Sequence, residues 1–251
     1  MAEQTSTEGR LDAGRVAPLI IRRDVEIYNI DGGWFRARWH FSFDRYNDAE
    51  NMGIGQMRVF NHDTLTAGAV WPMHPHRDVE GITYVVAGEF EHADSMGNGG
   101  VLLPGGVQRM TLGSGAYHSE RNHSQTEEMQ FIQIWIMPAE RGLPPSNEQH
   151  QFLEADRRDR LLRILKPDGT DGEGIPVHQD ASMYVARLES GISVSHSFGE
   201  ERLGYFYLIS GAALINGERL TTGDAAKVLG SGTINIVAEE TSELLLVDVP
   251  H

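Results

Sequence analysis

The sequence has no cysteine. Disulfides, thiolate metal sites and cysteine nucleophiles are therefore excluded, and stability has to come from a packed core. Basic residues are scarce: 21 Lys and Arg stand against 36 Asp and Glu, for a net charge of −15. A binder of the nucleic-acid backbone needs a basic face, so no direct nucleic-acid partner is expected. No apolar run is long enough to cross a bilayer. The opening MAEQTSTEGRLDAGR is polar and lacks the apolar stretch of a secretory signal. These absences lead to the expectation of a cytoplasmic protein with no membrane partner. The length of 251 residues suits one large domain or two of ordinary size, each able to bury its own core.

Glycine, with 28 residues, is what the chain has in quantity. Short β-prone runs are punctuated by glycine turns: Trp34–Phe43, Met57–Phe60, Ile82–Val86, Val107–Thr111 and Met129–Met137. Asn61–Gly68 reads as a polar turn region. This rhythm predicts an all-β protein of barrels or sandwiches. Ala155–Leu165 is the best helix candidate, with Asp156 as a cap. A short repeat aligns Tyr84–Gly88 with Tyr207–Gly211, and the simplest account is two β-barrel domains of one plan. The expected division is a flexible N-terminal arm at 1–16, a metal-binding domain at 17–137, a helix-containing connection at 138–175 and a second domain at 176–251.

The chemistry concentrates in the first half. His74 and His76 are two residues apart, as are His118 and Glu120. In a strand, residues i and i+2 share a face. Two such pairs on neighbouring strands place three imidazoles and one carboxylate around one cavity, a ligand set for a divalent transition metal. Aligned without gaps, the second half has Ser197, Gly199, Ile236 and Ala238 at the matching positions, none of which suits a metal, so that half is expected to be metal-free. His92, His123 and His196 lack partner spacing and read as surface or hydrogen-bonded residues; Arg77 and Arg109 read as surface charges. Trp71, Met73 and Met110 read as core packing.

Gly68, His74, His76 and Glu80 fit the first cupin motif, G-x5-H-x-H-x3-E. The second motif is altered, with Thr111 in place of its proline and His118 two residues late. The strings HPHRDVE, TYVVAGEFEHADSMGN, PGGVQRM, HSERNHS, QIWIMP and GLPPSNEQHQF resemble the pirin family, over nearly the whole chain. That resemblance implies a bicupin, two β-barrel domains of the double-stranded β-helix type. It implies one metal, iron(II) first, with nickel, manganese, cobalt or zinc as alternatives. Its ligands carry over to His74, His76, His118 and Glu120, while Glu80 is expected to support a ligating imidazole. The implied activities are two. Some bacterial relatives are quercetin 2,3-dioxygenases, which take a flavonol and O2 and release carbon monoxide and a depside. In such an enzyme Glu120 is the candidate base for the flavonol 3-hydroxyl. Others act as redox-sensitive regulators that bind a protein partner.

Overall fold

A computed structural model describes residues 14–251. The expected arm at 1–16 lies outside the described residues except for its last three positions, where Val16 already bridges Thr233. The described chain is almost entirely strand, in four sheets, and each half pairs a seven-stranded sheet with a four-stranded one.

In the first half, the large sheet runs Ser146–Gln151, Gly106–Thr111, Glu80–Ala87, Met129–Ile136, Met57–Leu65, Phe35–Trp39 and Tyr28–Asp31. The small sheet runs Val70–His76, Ala116–Asn122, Phe90–Asp94 and Gly99–Leu102. Leu65, Val85 and Phe131 of the large sheet meet Phe90 and Leu102 of the small one in a shared apolar cluster. Neither half closes fully into a barrel: each is an open sandwich held by side chains between its sheets, the sandwich form that the strand rhythm also allowed.

The second half repeats the plan. Arg202–Ser210 lies between Ala225–Leu229 and Ser242–Pro250, as Glu80–Ala87 lies between Gly106–Thr111 and Met129–Ile136. The repeat read as Tyr84–Gly88 and Tyr207–Gly211 thus falls on equivalent central strands. Its glycines have a physical reason. Gly88 and Gly211 adopt φ of +78° and +95°, and a Cβ on either would lie within 2.8 Å of backbone from a neighbouring strand.

Two segments cross between the halves. Leu19–Arg22 pairs with Ala225–Leu229 of the second half, although it precedes every strand of the first. The segment 138–175 is itself largely sheet: Ser146–Gln151 closes the first half's sheet, and Leu162–Pro167 joins the second's. The helix expected at Ala155–Leu165 is instead a 3-10 turn, Glu154–Arg157, followed by that strand. Asp159 turns the chain with φ of 57°, which no α-helix continues through. Leu162, Ile164 and Leu165 are buried against the second half, so tertiary packing overrides a leucine spacing that a helix would also satisfy.

The two large sheets pack back to back. Phe60, Ile82, Tyr84, Ile132 and Ile134 from one half share a core with Met183, Tyr205, Tyr207, Leu245 and Val247 from the other. Several polar groups within this interface are paired. Tyr84 Oη donates to Glu243 at 2.6 Å, and Arg157 pairs with the same carboxylate at 2.8 Å. His40 and His62 each lie 2.8 Å from a tyrosine hydroxyl, Tyr205 and Tyr207 respectively. Among the described residues no helix is long and apolar enough to cross a membrane.

Candidate metal centre

Val70–His76 is an edge strand of the small sheet, which tolerates the missing N–H groups of Pro72 and Pro75. It pairs antiparallel with Ala116–Asn122, putting His118 opposite His74 and Ala116 opposite His76. The register then shifts. Glu120 faces Trp71, so one extra residue is accommodated between Trp71 and His74. This bulge turns Trp71 onto the cavity face alongside the histidines.

Ring nitrogens of His74, His76 and His118, one from each, all lie within 4.8 Å of one another. Glu120 stands beside them, its Oε1 3.3 Å from His118 Nδ1, but outside the group that converges within that distance. His74 Nδ1 is 2.7 Å from the Pro72 carbonyl, which can only accept. Nδ1 therefore carries the proton and Nε2 presents its lone pair. His118 is buried, and neither of its ring nitrogens has a protein hydrogen-bond partner. Buried polar atoms are rarely left unpaired, so this imidazole is arranged for a ligand.

Burial, then the neighbouring charges of His74, His76 and His92, holds His118 down to about 2. Burial followed by His74 holds His76 to about 4. Neutral imidazoles are what a metal requires. The carboxyls move the other way. Burial and then Asp63 push Glu120 up to about 8, and burial pushes Asp63 up to about 7. A dication in their midst reverses that order by favouring the carboxylates. The donor set of three imidazoles with an adjacent carboxyl fits a divalent first-row ion.

The histidines form one side of a cavity of about 120 Å³. Its walls are aromatic, from Trp39, Phe43, Trp71, Phe131 and Trp135, and Asn61, Asp63 and Gln133 supply its polar floor. Trp71, read as core packing, is thus a wall of the site. Asn61 and Asp63 belong to the segment expected to be a turn. It is instead strand, running unbroken from Met57 to Leu65. The signal was present as Val59, Asn61, Asp63 and Leu65 at period two, matched by Phe131, Gln133 and Trp135 on the paired strand.

Other expectations fare differently. Glu80 touches none of the three clustered histidines. It accepts from Thr111 Oγ1 at 3.1 Å on the opposite face of the large sheet. Asp78, with φ of 51°, breaks the strand between His76 and Glu80, so their shared parity does not carry across. Arg109 is buried, bonded to Thr111, Ser146, Glu148 and the Pro176 carbonyl, and ties the halves together. Arg77 is exposed. Met73 is half exposed, whereas Met110 packs with Val79, Leu112 and Ala116. His92 is fully buried with its ring centre 5.7 Å from that of His118, nearer the site than its spacing suggested. His123 and His196 bond to Glu91 and Asp248. In the second half, Ile236 and Ala238 lie in an apolar cluster with Phe198 and Phe206.

Comparison with known proteins agrees with this architecture. The family described as Pirin matches residues 22–136, and that described as quercetinase C-terminal cupin domain matches 163–249. A pirin-like protein of Caulobacter vibrioides is 38% identical over 87% of this chain and 94% of its own length. This chain belongs to the pirin family. Another relative, quercetin 2,3-dioxygenase of Escherichia coli K12, is 39% identical over 92% of this chain and 99% of its own. The crystal structure of an Escherichia coli bacterial pirin in complex with nickel(II) superposes with a TM-score of 0.86 at 36% identity, covering 93% of this chain and 99% of that one. The two halves are accordingly the two cupin domains of a pirin.

Proposed function

We propose that this pirin is a metal-dependent dioxygenase of quercetin-like flavonols. The observation that carries the reading is the convergence of three imidazoles on one side of an aromatic-walled cavity. His74, His76 and His118 would hold the ion, with Glu120 completing the set; iron(II) is the proposed metal. The bound metal supplies Lewis acidity and redox reach at the point where flavonol and O2 meet.

The remaining work falls to the chain. Trp71 and Trp135 stand at the half-exposed rim, where a flat ring can be held between them. Burial keeps water from the inner face of the cavity and strengthens each polar contact there. A flavonol must lose its 3-hydroxyl proton to become electron-rich enough to react. Glu120, ionised when a dication lies beside it, accepts that proton at a carboxylate oxygen. One flavonol and one O2 then yield a depside and carbon monoxide. Being named quercetin 2,3-dioxygenase, the Escherichia coli relative supports this substrate class.

The test is anaerobic loading with iron(II), followed by quercetin and O2. Catalytic carbon monoxide release that disappears in His74→Ala is expected. No release at confirmed iron occupancy would overturn the reading.

A regulatory reading draws on the size of the cavity. About 120 Å³ falls below the roughly 300–1,000 Å³ usual for small-molecule pockets. Here the metal's oxidation state would alter a protein-binding surface. Hydrogen exchange that differs between the iron(II) and iron(III) forms far from the cavity, without carbon monoxide release, would favour it.

A further inference from the structure

The floor of the cavity carries an amide pair that the proposed chemistry does not use. Asn61 and Gln133 are direct cross-strand partners on Met57–Leu65 and Met129–Ile136, and both side chains line the cavity. Such partners stand about 5 Å apart at Cβ, close enough to bond to one another. Here they do not. Among the described residues the Asn61 amide makes no hydrogen bond, although the residue is only 3% exposed and its Oδ1 is fully buried. Gln133 is held from the neighbouring strand: Thr83 Oγ1 donates to Gln133 Oε1 at 2.9 Å. That bond fixes which end of the Gln133 amide is spoken for and leaves its Nε2–H2 to donate elsewhere.

An unpaired buried amide is costly, and this one sits in a cavity whose walls are tryptophan and phenylalanine, with Asp63 beside it and the histidines and Glu120 on one side. A largely apolar pocket with a few placed polar groups is how small-molecule sites fix orientation. With Gln133 set as a donor, the complementary role left to Asn61 is acceptor. Its oxygen and nitrogen exchange by a half-turn, and no protein bond holds them in one sense.

We propose that Asn61 and Gln133 form a hydroxyl-recognition site, selecting substrates whose inserted aromatic ring carries a phenolic hydroxyl distant from the metal-binding edge. A hydroxyl is donor and acceptor at once. It donates to the Asn61 carbonyl and accepts from Gln133 Nε2, whereas an unsubstituted ring leaves both amides unpaired. Thr83 is a positioning residue for Gln133. The proposal rests on the flavonol reading and refines it from flavonols in general to ring-hydroxylated ones.

The test is binding rather than turnover. Iron(II)-loaded protein, kept anaerobic, is titrated with quercetin and with 3-hydroxyflavone, which keeps the metal-binding edge but lacks the other hydroxyls. Trp39, Trp71 and Trp135 line the cavity, so their fluorescence quenching reports occupancy. Wild type should prefer quercetin by about tenfold or more, the scale of one lost hydrogen bond with its unpaired partner. In Asn61→Leu and Gln133→Leu the preference should collapse. Thr83→Val, nearly isosteric, should reduce the preference several-fold by freeing the Gln133 amide. Equal wild-type affinity for the two ligands, or an unchanged preference in Thr83→Val, overturns the hydroxyl site and leaves the flavonol reading standing. Failure of the loaded wild type to bind either ligand overturns both.

Discussion

Loading the metal should expel a proton from Glu120, and the number released can be worked out from the structure. In the metal-free fold, burial and the charge of Asp63 push the Glu120 carboxyl up to about 8 from 4.5, which sets ~5 kcal/mol against ionising it. With a folded-state value near 8, ~0.9 of the molecules are protonated there at pH 7. His76 and His118 contribute almost nothing, because they are held to about 4 and about 2 and are already neutral. Asp63, pushed up to about 7, adds at most ~0.5 proton. The expected release at pH 7 is therefore about one proton per ion, falling toward zero as pH rises past 8. Apparent affinity should correspondingly rise with pH up to about 8 and then level. Calorimetric titration in buffers of different ionisation enthalpy gives the count directly. In Glu120→Gln, release should drop by ~0.9. An unchanged count in that variant, or no release from wild type at pH 7, would refute the assignment of the buried proton to Glu120.

Three further outcomes are expected. His118→Leu should abolish metal uptake while stabilising the metal-free fold by ~1–3 kcal/mol in urea melts, because both ring nitrogens it removes are buried without partners. Gly88→Ala should cost ~2 kcal/mol or more and lower Tm by roughly 5 °C, since φ is +78° and the new Cβ would lie 2.6 Å from the Glu128 carbonyl oxygen. His62, held to about 4 by burial at the interface between the halves, is a base whose folded-state value is lowered, so its contribution is complete above ~6.5 and lost as pH falls toward 4. Urea stability of the loaded protein should fall across that window by up to ~3 kcal/mol from this residue, and His62→Gln should flatten the fall.

The histidine pairs were legible because strand geometry is local. A spacing of two puts His74 and His76 on one face wherever the strand lies, and a run of glycine turns announces short strands. Glu80 shows where that locality ends. Its parity with His76 is interrupted by Asp78 in the left-handed region, a conformation that leaves no mark in the residue pattern. Asn61 and Asp63 were hidden for a different reason. Polar residues at alternate positions usually mark a solvated face or a turn, and only the packing of a second sheet above them turns that face into a cavity floor.

Composition, the His-x-His and His-x-Glu spacings, and the Tyr84–Gly88 repeat were sufficient to determine an all-β, two-part protein with its candidate histidine cluster in the first half. Only the tertiary structure decided that the sheets stay open, that Leu19–Arg22 belongs to the far half, and that Ala155–Leu165 is a turn and a strand. It also decided which aromatic and amide side chains enclose the three histidines. The difference is one of range. Strand periodicity and turn chemistry act over a few residues, whereas burial, bulges and the choice of pairing partner are set by contacts between segments far apart in the chain.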